Sequence, residues 1–110
     1  MNINELANKC HGDAKSLGWY DDNKTKSDVE SLMLTVSELS EAVEELRKPE
    51  TQIEYEGKNG KPEGYGVELA DAIIRLLDLA AFRGIDIGGI IERKLAYNLK
   101  RGYRHGNKKY

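Results

Sequence analysis

The stretch from Val67 to Phe82 constrains the fold more than any other part of the chain. Val67, Leu69, Ala70, Ala72, Ile73, Ile74, Leu76, Leu77, Leu79, Ala80 and Ala81 surround most of a helix drawn at about 100° per residue. Its charged residues, Glu68, Asp71, Arg75 and Asp78, fall within roughly a quarter of the circumference. A helix that is apolar nearly all round belongs in an interior. Its charged line is therefore expected to face an internal or cleft environment, where unpaired charge is costly. Arg75 is spaced to offset Asp71 through an i,i+4 contact. Gly84 is placed to end the helix in a left-handed cap.

A second helix is predicted from Ser27 to about Lys48. Ser27 with Glu30 three places on is the capping-box pattern, and Pro49 stops the run. Val29, Leu32, Met33, Val36, Leu39, Val43 and Leu46 form one apolar stripe. Glu38, Glu41 and Glu45 line up roughly opposite, with Leu34 continuing their line. Taken alone, that acidic line would simply face water. It gains meaning beside the other helix. Glu38-Leu39-Ser40-Glu41 and Glu68-Leu69-Ala70-Asp71 each put two carboxylates three residues apart, on one helical face. Such like-charge pairs cost a few tenths of a kcal/mol on an isolated helix. Finding two on apolar helices suggests a positive group between them, and a hard cation with oxygen ligands such as Mg²⁺ fits best.

Around these two helices the chain reads simply. Ile3, Leu6, Ala7, Cys10, Ala14 and Leu17 predict a first helix from Ile3 to Leu17, with Asn2 or Asn4 as cap and Gly18 as stop. His11 lies near its apolar side and reads as a hydrogen-bonded or surface histidine rather than a ligand. Gly18 to Asn23 is a connector. Its Trp19 suits a core plug, an interface residue or a platform for a nucleobase, and sequence does not choose among them. Pro49 to Gly64 breaks the helical pattern. Its Asn59-Gly60 turn signal beside Gln52–Glu56 suggests a small hairpin, sited in sequence to cover a cleft between the acidic helices. Lys58 and Lys61 read as solvated loop lysines. Asp86 opens a last helix whose apolar side is Ile87, Ile90, Ile91, Leu95 and Leu99. Lys94, Asn98 and Arg101 share one of its faces and offer donors suited to phosphate oxygens. Gly102 to Tyr110 is a basic, irregular tail.

At 110 residues the chain fits one domain, 1–110, of all-α class. Its formal net charge of −2 argues against a stable nucleic-acid partner. The lone Cys10 permits no internal disulfide. No apolar run reaches the roughly 18 residues of a membrane span. The polar Met1–Lys9 lacks the core of a secretion signal, so a cytoplasmic location is expected. Neither acidic cluster carries the Glu-x-x-His of a di-iron bundle, and no phosphate-binding Gly-x-x-x-x-Gly-Lys-Ser/Thr loop occurs. Two acidic helical faces packed antiparallel, with a basic face nearby, form a layout for a nucleoside triphosphate held through Mg²⁺.

Glu38-x-x-Glu41 followed by Glu68-x-x-Asp71 resembles the metal motif of the MazG-like, all-α nucleoside triphosphate pyrophosphohydrolases. Lys61-Pro62-Glu63-Gly64, Glu68 to Asp78, Lys94-x-x-x-Asn98-x-x-Arg101 and Arg104-His105-Gly106 are similar to that family in order, over roughly Ser27 to Lys108. The resemblance implies a four-helix, bundle-like fold completed by a second copy, as a homodimer or homotetramer. It implies cleavage of an NTP or dNTP between the α and β phosphates. It also implies Mg²⁺, with Mn²⁺ as substitute, on Glu38, Glu41, Glu68 and Asp71, with Glu38 or Glu41 helping to activate water. Lys94, Asn98 and Arg101 would meet phosphates, and Trp19 is a candidate base contact. A non-catalytic helical interaction module on this scaffold and a phosphoribosyl-ATP-type pyrophosphohydrolase are the alternatives.

Overall fold

The computed structural model describes residues 1–21 and 27–109, the side chain of His105 excepted. Asp22 and Asn23 of the predicted connector and Tyr110 of the tail lie outside the described residues. The described residues are all-α apart from one hairpin. Helix α1 spans Ile3–Ser16, α2 Asp28–Leu46, α3 Tyr65–Phe82 and α4 Ile87–Lys100, with a single turn, α5, at Arg104–Asn107 in the tail expected to be irregular. Local chemistry sets the boundaries. Asn2, Ser27 and Asp86 side chains accept from the backbone N–H of Glu5, Glu30 and Gly89 respectively. Gly84, at φ 65°, closes α3 as expected. No helix of the described residues is long and apolar enough to cross a membrane.

Helix α3 is the centre, and α1 and α2 pack on it, both antiparallel to it. For α2, Arg83 Nη2 meets Asp28 Oδ1 at 2.6 Å at one end, and Arg75 meets Glu38 farther along. For α1, Asn4 donates to Asp86 at 2.7 Å and His11 meets Asp78 at 2.8 Å. The buried apolar residues of the described chain are Ala7, Ala42, Ala72, Leu77 and Ala80. Four are alanines, so the helices approach closely through small side chains and enclose little apolar bulk.

That geometry corrects the reading of α2. Its stripe from Val29 to Leu46 does not face the core; Val36, midway along it, is 50% exposed. The side with Leu34, Thr35, Glu38, Ala42 and Glu45 turns toward α3 instead. Thr35 and Ala42 are small enough to let the backbones meet, and Arg75 compensates the inward carboxylate of Glu38. Nor is α3 enclosed within one chain: Ile73, Ile74 and Leu76 are exposed. Helix α4 meets the rest of the chain chiefly at the start of α1, where Gly88 N–H donates to Asn4 Oδ1. It buries no residue, and Leu99 is 84% exposed. The radius of gyration is accordingly 16.8 Å, against about 13 Å for a closed domain of about this size.

The predicted hairpin forms, with β1 (Tyr55–Glu56) antiparallel to β2 (Pro62–Glu63) and Tyr55 opposite Glu63. Asn59 and Gly60 both take positive φ in its turn. Tyr65 N–H and Gly66 N–H donate to the carbonyls of Gln52 and Ile53, tying the loop to the start of α3. Gly64 sits between at φ 126°, where a Cβ would lie 2.5 Å from the Ile53 carbonyl oxygen. Gly64→Ala is therefore expected to destabilise the chain by about 1–3 kcal/mol, read as a lower urea midpoint with unchanged slope.

Candidate functional site

The antiparallel packing of α2 on α3 brings the two acidic motifs together. Glu38, Glu41 and Glu68 each place a carboxylate oxygen within 4.8 Å of the others. The fourth predicted ligand, Asp71, lies outside that set but feels it. Partial burial and then the nearby charge of Glu38 push its carboxyl above the usual range, against the opposing pull of Arg75 and Lys61. Lys61 is exposed, as read from sequence, and its charge still reaches the site from the hairpin. Arg75 offsets Asp71 by its charge, as its spacing suggested, but makes its hydrogen bond elsewhere. Its Nε–H donates across to Glu38 Oε1 at 2.9 Å, because α2 presents that carboxylate toward α3.

Glu68 is the most strained electrostatically. Burial first, then the neighbouring Glu41 carboxylate, raises it to about 7. Its Oε2 is buried and meets no hydrogen-bond donor among the described residues. Three carboxylates so placed offer oxygen ligands of the kind a hard divalent cation takes. Glu38, Glu41 and Glu68 could hold one, with Asp71 beside them.

A cleft of about 430 Å³ leads away from the carboxylates. Glu38, Asp71 and Arg75 belong to its charged end. Cys10, Ala14, Trp19, Leu34 and Ile74 form its apolar walls, and Asp78 lies on the same line of α3, seven residues beyond Asp71. Trp19 is 63% exposed, so it is a wall and not a core plug. Asp78 is fixed from two sides. His11 Nδ1 lies 2.8 Å from its Oδ1, and the Tyr20 hydroxyl donates to Oδ1 at 3.0 Å and Oδ2 at 2.9 Å. Burial, then the bond to Asp78, pushes the Tyr20 phenol up to about 12, so it stays a donor. Tyr20, His11 and Phe82 rings pack together with centroids 4.8 to 5.7 Å apart. His11 is thus the hydrogen-bonded histidine expected. Sequence reasoning did not connect it to Asp78 and Tyr20; the signal was Asp78 at the end of the charged line of α3, where it needs a partner from another element.

The basic candidates are elsewhere. Lys94 and Asn98 lie on α4 and Arg101 caps its end, and none of the three lines this cleft or its extension toward Phe82. Lys94 and Arg101 sit over the Tyr97 ring at 5.1 and 5.8 Å. Residues 93–110 carry seven Lys and Arg and no acidic side chain, which leaves the rest of the chain at −9 against a formal net of −2. The fold and site define an all-α protein with an acidic, cleft-forming body and a projecting basic arm. No family model matches the chain, and neither does any curated protein or solved structure compared with it.

Proposed function

We propose that the chain is a Mg²⁺-dependent nucleoside triphosphate pyrophosphohydrolase. The observation that carries this reading is the convergence of Glu38, Glu41 and Glu68 from two helices around the donorless Oε2 of Glu68. The MazG-like order of motifs agrees with it. Glu38, Glu41 and Glu68 would hold the metal, with Asp71 adjacent; when bound, Mg²⁺ neutralises phosphate charge and makes water more acidic. Arg75 fixes the Glu38 carboxylate. Glu41, the most exposed of the three, takes the proton from the attacking water. The water oxygen bonds to phosphorus as the α–β anhydride bond breaks. A nucleoside monophosphate and pyrophosphate leave.

Lys94, Asn98 and Arg101 serve the phosphates from a second copy. The outward stripe of α2, the exposed side of α3 and the projecting, basic α4 are complementary in apolar character and in charge. Val36→Asp is expected to shift the sedimenting species from an oligomer toward the monomer and to lower turnover with it. The hydrolase reading itself is tested by incubating the protein with NTPs and dNTPs and Mg²⁺. Monophosphate plus pyrophosphate supports it, whereas no product, or diphosphate plus phosphate, overturns it.

A further inference from the structure

We infer that the Asp78 end of the cleft reads the nucleotide base and takes one that offers an exocyclic amino group, cytosine or adenine, over its oxo counterpart, uracil or hypoxanthine. This deepens the hydrolase reading and rests on it, because phosphates at Glu38 and Asp71 direct the nucleoside along the cleft. Asp78 stands seven residues from Asp71 on α3, about 10 Å along the axis, comparable with the span of a nucleoside. The walls between are Trp19, Leu34 and Ile74, an aromatic face and two aliphatic groups suited to a flat ring.

The selectivity follows from what remains of the Asp78 carboxylate. Each of its oxygens can accept two hydrogen bonds. His11 lies at Oδ1, and the single hydroxyl hydrogen of Tyr20 is shared between Oδ1 and Oδ2. Acceptor capacity is therefore left on a carboxylate held by Tyr20 and His11, chiefly at Oδ2. It suits an exocyclic N–H of the base and disfavours the carbonyl oxygen that the oxo base presents at the same position, which would face a carboxylate across the cleft. The Tyr20 and His11 contacts also bring α1 and its following turn against α3, so the reading group is positioned before a ligand arrives.

Equilibrium binding of CMP, UMP, AMP and IMP with Mg²⁺, followed by the fluorescence of Trp19, the single tryptophan, tests this without requiring turnover. CMP should bind at least about 10-fold tighter than UMP, or AMP than IMP. Asp78→Asn, whose amide can turn an N–H toward the ligand, should abolish or reverse that preference. Tyr20→Phe, which keeps the carboxylate, should retain the preference while lowering thermal stability, a pattern a merely structural Asp78 would not give. Equal affinity within both pairs, preference for the oxo partners, no binding of any monophosphate, or a preference unchanged in Asp78→Asn overturns the inference. Amino-selective binding without hydrolysis would remove the hydrolase reading and leave the pocket; hydrolysis without amino selectivity would do the reverse.

Discussion

Glu41→Gln is expected to lower nucleotide turnover by about 10²- to 10⁴-fold while leaving the helical circular dichroism unchanged. The side chain is exposed and makes no ion pair among the described residues, so its amide should fold as well as the carboxylate. What the substitution removes is a proton acceptor and an anionic oxygen beside Glu68. Glu38→Gln is a different experiment, because Glu38 also holds Arg75 across the α2–α3 contact. Its loss should reduce stability as well as turnover. A Glu41→Gln protein with full activity would take Glu41 out of the chemistry.

The second large effect is on pH-dependent stability. In the folded, metal-free chain burial and Glu41 raise Glu68 to about 7, well above its ordinary value of 4.5. The native state therefore binds more protons than the unfolded state between these values, and stability must fall as pH rises through that window. The Glu68 contribution is fully present below about pH 4.5 and is lost above about pH 7. Glu68→Gln keeps the shape and removes the charge. Without metal it should melt higher than wild type at pH 8, and the difference should shrink toward zero near pH 5. Mg²⁺ should raise the melting temperature of wild type more than that of the variant. Identical melting curves at pH 8 would show that the three carboxylates do not repel one another as their spacing demands.

Much of the helical frame could be read from the residues. Ser27 with Glu30, Asn2, Asp86 and Gly84 mark ends that the structure keeps, and Asn59-Gly60 marks a hairpin turn. These are local effects, settled within a few residues of chain. The side of α2 that faces inward is not local. Periodicity fixes the angle between Val36 and Glu38 but not which of them meets α3. The small Thr35 and Ala42, together with Arg75 reaching over to Glu38, turn the acidic side in. The same limit hid the hydrogen-bond partner of Arg75, Glu38, which lies across the helix contact. It also hid the separation of Lys94, Asn98 and Arg101 from the acidic cluster, since a shared face on α4 says nothing of where α4 goes. Convergence of Glu38, Glu41 and Glu68 was legible because two acidic pairs on apolar helices had few favourable places to sit.

Calorimetric titration of Mg²⁺ into the wild-type chain and Glu68→Gln, in two buffers of different ionisation enthalpy near pH 7, addresses the shared cation most directly. Wild type should bind the metal and release a proton as Glu68 ionises, giving heats that differ between the buffers. Glu68→Gln should bind more weakly and release none. No binding at millimolar Mg²⁺, or binding of equal strength in the variant, would contradict a cation held jointly by α2 and α3.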